Sequence, residues 1–136
     1  MSNKHSVISL FSGAGGMDIG FQMAGDFDIL LANDILYAPA LTYTRNFGCT
    51  LVDVENQNSN DNYPVYLLGD VSKIDFSSLE VDVVIGGPPC QDFSVIRGAE
   101  RQGIRTKRGV LYSHFIRCLK QVRPKVFVFE NVFGLV

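Results

Sequence analysis

Short apolar runs ending on glycine, aspartate or glutamate recur along the chain, separated by amphipathic segments. Val7-Ile-Ser-Leu-Phe11 breaks into Ser12-Gly-Ala-Gly-Gly16, the pattern of a buried strand entering a glycine turn. A helix is predicted from Met17 to Ala24, with Met17, Phe21 and Ala24 on its apolar face, a small Gly20 and a C-terminal cap at Gly25. Phe27 to Asn33 reads as a second strand stopping at Asp34. Tyr37 to Asn46 reads as a second helix, closed by Gly48, with Pro39 in the first turn where proline is tolerated. Val65 to Leu68 predicts a third strand ending in Gly69-Asp70, and Val81 to Ile85 a fourth ending in Gly86-Gly-Pro-Pro-Cys90. Leu111, Phe115, Cys118, Leu119 and Val122 recur at helical spacing before Pro124, and Lys125 to Phe129 forms a fifth strand that ends in Glu130-Asn131. The polar stretch from Glu55 to Asn62 is read as a surface loop.

Strands apolar on both faces that alternate with helices specify an α/β fold, with a mostly parallel sheet covered on both sides. Ligands of such sheets sit beyond the carboxyl ends of the strands. Every polar cluster named above falls there.

Composition narrows the class. With 136 residues, 46% hydrophobic and 19% charged, the chain is neither disordered, collagenous nor a coiled coil, and its length suits one core. No apolar run approaches the roughly 18 residues of a membrane span. The three cysteines, Cys49, Cys90 and Cys118, have no metal-type spacing, and the first residues lack the apolar region of a signal peptide. Free thiols in a reducing cytoplasm, or at the nucleoid, are therefore expected. The net charge of -2 excludes a uniformly basic nucleic-acid binder, so a polyanion must meet a local patch. One candidate is the segment after the fourth strand. It holds Arg97, Arg101, Arg105, Lys107 and Arg108 against the single acid Glu100, and would either clamp phosphates or form a solvated loop.

The glycine turn would let backbone N–H groups and a helix N-terminus approach a ligand. Asp34 ends the second strand about 20 residues on, where a carboxylate reaches ribose hydroxyls, so a nucleoside-bearing cofactor is expected. Asp18 stands where the dinucleotide fingerprint needs its third glycine, which argues against NAD or FAD. From these residues alone, the glycines also suit a plain tight turn, Asp34 a helix cap and Asp70 a turn aspartate. The Gly86-Gly-Pro-Pro-Cys90 turn would hold and present a thiol, the side chain suited to adding reversibly to an electron-poor carbon. Glu130, at the end of the neighbouring strand, would face the same cleft from a buried position and donate a proton. Cys118 falls on the apolar helix face as a core residue, and His5 and His114 read as structural.

Phe11-Ser-Gly-Ala-Gly-Gly16, Asn33-Asp34, Gly69-Asp70, Gly87-Pro-Pro-Cys-Gln91 with Phe93-Ser94, Arg108-Gly109 with Leu111, and Glu130-Asn-Val132 resemble the successive N-terminal motifs of the DNA (cytosine-5)-methyltransferases. The resemblance runs from about Val7 to Leu135, with order and spacing kept. It implies a Rossmann-like S-adenosyl-methionine-dependent methyltransferase fold and a cytoplasmic enzyme of a restriction-modification or similar system acting on double-stranded DNA. Phe11, Gly13, Gly15 and Pro89 would line the S-adenosyl-methionine site, and Asp34, where the family usually has glutamate, would hold the ribose. Asp70 with the backbone of Val71 would read the adenine, and Leu111 would help close the pocket. Cys90 would attack C6 of a flipped-out cytosine while Glu130 engages N3. The family's later motifs, including its target-recognition domain, have no counterpart here. The chain is thus expected to be the N-terminal part of a catalytic domain that needs a complementary chain or self-associates through its last strand. Alternatives are a non-catalytic S-adenosyl-methionine-binding fragment, a split-enzyme subunit and a tRNA cytosine-5 methyltransferase.

Overall fold

The computed structural model describes residues 3–58, 62–89 and 108–131, with residues 108–110 as backbone only. Six strands form one parallel sheet: β1 (His5–Leu10), β2 (Phe27–Asp34), β3 (Thr50–Asp53), β4 (Val65–Leu68), β5 (Val83–Gly86) and β6 (Val126–Phe129), in the order β3-β4-β2-β1-β5-β6. Helices α1 (Gly16–Met23), α2 (Tyr37–Phe47) and α3 (Arg108–Val122) complete the described elements together with two 3-10 turns, Val54–Asn56 and Val71–Lys73. The chain winds outward from β1 through β2, then returns to place β5 and β6 on the other side of β1. That reversal opens a cleft at the carboxyl ends of β1 and β5.

Burial explains the elements. β1 and β5 are buried along nearly their whole length, because layers cover both faces of the sheet. One layer packs Phe76, Phe115, Cys118 and Val122 against Ile8, Leu10, Leu31 and Val84. On the opposite face, Met17 and Phe21 cover Val7, Ile29, Val83 and Ile85, while Ala40 and Tyr43 cover Ala32 and Tyr66. Cys118 is fully buried as expected, and desolvation pushes its thiol up to about 12. Gly48 adopts φ 64 and closes α2.

Two expectations change. A further strand, β3, precedes the predicted third one and pairs with β4 at the sheet edge. The polar stretch after it begins as a 3-10 turn capped by Asp53, whose carboxylate accepts from Glu55 N at 2.9 Å. Among the described residues β6 lies at the opposite edge. No helix among the described residues is long and apolar enough to cross a membrane.

Candidate functional site

The turn after β1 is held in an uncommon backbone conformation by several bonds. Phe11, Gly13 and Gly15 have φ of 55, 53 and 94, and a bulky residue such as Phe11 rarely occupies this region without a local reason. Asp34, at the end of β2, accepts from Gly13 N at 2.8 Å through one carboxylate oxygen and from Ile35 N at 2.6 Å through the other. Its short arm is thus anchored on the turn itself. The Tyr66 hydroxyl donates to Gly13 O at 3.0 Å, and Ser12 bonds β2 through its N–H to Asn33 O at 3.0 Å. A Cβ on Gly13 would meet nothing nearer than Asp34 Oδ2 at 3.9 Å, so the turn leaves open space facing the carboxylate.

Gly15 has no such freedom. A Cβ there would lie 2.6 Å from the Phe47 ring and 2.8 Å from Tyr43, at a φ that side chains rarely adopt. Gly15→Ala should therefore lower stability by roughly 2 to 3 kcal/mol, seen as a lower urea midpoint with an unchanged slope.

Asp18 has a role the sequence did not disclose. It is 1% exposed in the first turn of α1, where it accepts from Ser9 Oγ at 2.8 Å and from the Tyr43 hydroxyl at 2.5 Å. Burial raises its pKa against these bonds, and the same burial, with Asp18 beside it, raises that of Tyr43. Ser12 Oγ donates to Ser9 O at 2.9 Å, which extends the network from α2 through α1 into the glycine turn.

Asp70 and Val71 follow β4 at the same end of the sheet. Gly69 N donates to Asp34 O at 2.9 Å, tying this loop to the end of β2. Asp70 is exposed and caps the 3-10 turn, accepting from Ser72 N at 2.8 Å, which holds its carboxyl below the usual range. Val71 is buried, and the half-buried Leu111 and Phe11 pack against the same core cluster. The predicted cofactor residues Phe11, Gly13, Gly15, Asp34, Asp70, Val71 and Leu111 therefore share one end of the molecule. Positive-φ glycines, open space and a carboxylate presented from β2 fit a nucleoside-bearing ligand.

The second half of the site lies across β5. Glu130 N donates to Gly86 O at 2.9 Å, and a Cβ on Gly87 would fall 2.6 Å from Glu130 Oε2. The Glu130 carboxyl thus packs against the backbone of the turn leading to Cys90, in space only glycine leaves. At Gly86 a Cβ would meet Phe115 at 2.8 Å and Leu10 O at 2.9 Å, so this strand end also admits only glycine. Pro88 is buried and Pro89 exposed. Glu130 itself is exposed rather than buried, because β6 is an edge with nothing beyond it among the described residues. Cys90, Arg97, Arg101, Arg105 and Lys107 lie outside the described residues, and Arg108 opens α3 with only its backbone described. No group of three His, Cys, Asp or Glu side chains suited to a metal occurs among the described residues.

The sequence profile of C-5 cytosine-specific DNA methylases matches residues 5–136. M.ApeKI of Aeropyrum pernix, named a DNA (cytosine-5-)-methyltransferase, is 51% identical over 98% of this chain, which spans 30% of that relative. The type II methyltransferase M.AquIA of a Picosynechococcus strain is 42% identical over 98% of the chain, here half of its own length. Among solved structures, a prophage-encoded Escherichia coli protein described as a DNA modification methyltransferase superposes with a TM-score of 0.71 at 31% identity, over 98% of this chain and 33% of that one. The S. pombe Dnmt2 methyltransferase gives 0.69 at 25% identity, over 97% and 37%. The chain thus spans about a third to a half of the relatives it matches.

Proposed function

Because the chain belongs to the C-5 cytosine-specific DNA methylase family, we propose that it forms the cofactor-binding and nucleophile-bearing part of an enzyme that methylates cytosine C5 in double-stranded DNA. S-adenosyl-methionine supplies the methyl group. Phe11, Gly13 and Gly15 shape its site, Asp34 holds the ribose, Asp70 and Val71 face the adenine, and Leu111 with Pro89 closes the pocket. The Cys90 thiolate adds to C6 of a flipped-out cytosine while Glu130 engages N3, which makes C5 nucleophilic enough to take the methyl. The cofactor would leave as S-adenosyl-homocysteine, and loss of the C5 proton to water with elimination of the thiolate would restore the aromatic ring and the enzyme. Arg97, Arg101, Arg105, Lys107 and Arg108 contact phosphates, and a complementary chain supplies target recognition and the rest of the sheet.

The observation that carries this reading is the Glu130 carboxyl against Gly87, three residues before Cys90 and across the cleft from the Asp34 and Gly13 pair. A carboxyl packed against the glycine of a Gly-Pro-Pro-Cys sequence, beside a nucleoside-type turn, supports attack on a pyrimidine ring over simple cofactor storage.

Calorimetry tests the cofactor half. The isolated chain should bind S-adenosyl-methionine weakly, with Kd above about 1 μM, since only part of the pocket wall is present. Asp34→Ala should weaken this about tenfold by removing both the ribose acceptor and the anchor of Gly13. Sub-micromolar binding, or binding untouched by Asp34→Ala, would refute the pocket assignment.

A further inference from the structure

Arg117, in the third turn of α3, joins that helix to the loop after β4. Its guanidinium donates to Val71 O at 2.9 Å and to Ile74 O at 2.7 Å, so one planar group bonds both ends of the 3-10 turn. The same group lies over the Phe76 ring, 4.9 Å from its centroid. Nη1 also reaches Gln121 Oε1 at 3.4 Å, and that oxygen accepts from Phe76 N at 3.2 Å. Charge-assisted bonds from a rigid fork are the strong kind, and a lysine cannot reproduce their geometry. Two further side-chain ties of this loop, Gln57 Nε2 to Lys73 O and Lys73 to Glu55, lie exposed to solvent.

His114 belongs to the same device. Its Nδ1 accepts from Arg117 Nε at 3.1 Å, so its proton resides on Nε2, and desolvation with the neighbouring guanidinium lowers its pKa. The Asp70 carboxylate lies within electrostatic range of this imidazole. Leu111, His114 and Arg117 repeat every three residues and so stand on one side of α3. That side meets the Asp70 to Ile74 loop. Arg117 thereby ties the loop that carries Val71 to the helix that carries Leu111.

We propose that Arg117 is a positioning residue for the adenine of the cofactor, fixing the gap between Val71 and Leu111 into which the base slides. This rests on the assignment of Asp70, Val71 and Leu111 to the adenine. The affinity gained is one of preorganisation, since a loop free to drift from α3 would have to be ordered on binding.

The test uses the chain as it stands, titrated with S-adenosyl-homocysteine and with adenosine up to millimolar concentrations under nuclear magnetic resonance. Arg117→Lys, which keeps the charge but loses the planar fork that reaches both carbonyls, should raise Kd for both ligands about tenfold or more. Exchange of the Lys73 and Ile74 amides should quicken while that of β1 amides holds. Val122→Ala, which thins the core under the same helix while leaving the Arg117 bonds to the loop carbonyls in place, should lower stability and leave Kd within about twofold. If wild type binds and Arg117→Lys binds equally well, or Val122→Ala loses as much affinity, the positioning role is overturned and the pocket assignment survives. If wild type binds neither ligand at all, the pocket assignment falls and takes this role with it.

Discussion

Cys90→Ser should abolish methyl transfer in any active assembly containing this chain, by at least about a thousandfold, while leaving cofactor affinity close to wild type. A serine hydroxyl at neutral pH is far less nucleophilic than a thiol of which a few per cent is ionised. Cofactor affinity should hold because the glycine turn is anchored on Asp34 through Gly13 N, and the loop that carries Asp70 on the same residue through Gly69 N. Cys118→Ser supplies the contrast. That thiol is fully buried under α3, so its loss should cost stability and leave the chemistry intact. Rates with tritiated S-adenosyl-methionine and duplex DNA check both variants.

The second large effect concerns assembly. Among the described residues β6 pairs with β5 alone, and Val126, Phe127 and Val128 are 55%, 56% and 39% exposed, which is unusual for a strand of pure apolar sequence. Val126 and Val128 line a groove with Phe21, Phe27 and Val83 on the face that α1 covers only in part. An apolar edge of this kind offers both unpaired backbone groups and poorly solvated side chains, so the chain should associate with a partner that continues the sheet or with itself. Light scattering coupled to size exclusion should show a mass that grows with concentration. Val126→Lys with Val128→Lys should return the protein to 15.0 kDa. A wild-type chain that stays monomeric at high concentration and ignores a complementing chain would contradict this.

The strands legible from sequence were those written as short apolar runs, whether covered like β1 and β5 or exposed at an edge like β6. β3 escaped because Thr50 and Asp53 are exposed and Leu51 and Val52 only half-buried, leaving four residues with no period to detect. Within the site, Asp34 was legible because its distance from the glycine turn is a local property of one strand-helix-strand unit. Asp18 was not, since its partners Ser9 and Tyr43 stand 9 and 25 residues away and only packing unites them. His114 shows no partner in the sequence for the related reason that Arg117 holds it while bonding loop carbonyls more than 40 residues away. The expected burial of Glu130 assumed an interior strand, and the edge position of β6 removes the layer that would have covered it.

The central claim is that Cys90 forms a covalent bond to cytosine C6, and mass spectrometry of a trapped complex tests it most directly. Duplex DNA carrying 5-fluorocytosine is incubated with S-adenosyl-methionine and the assembled enzyme, and the fluorine at C5, unable to leave as the proton does, should arrest the reaction with the thioether intact. Digestion should locate the adduct on the peptide containing Cys90, with none in Cys90→Ser and a full yield in Cys118→Ser. An adduct that persists in Cys90→Ser, or that maps to Cys49 or Cys118, would contradict the account.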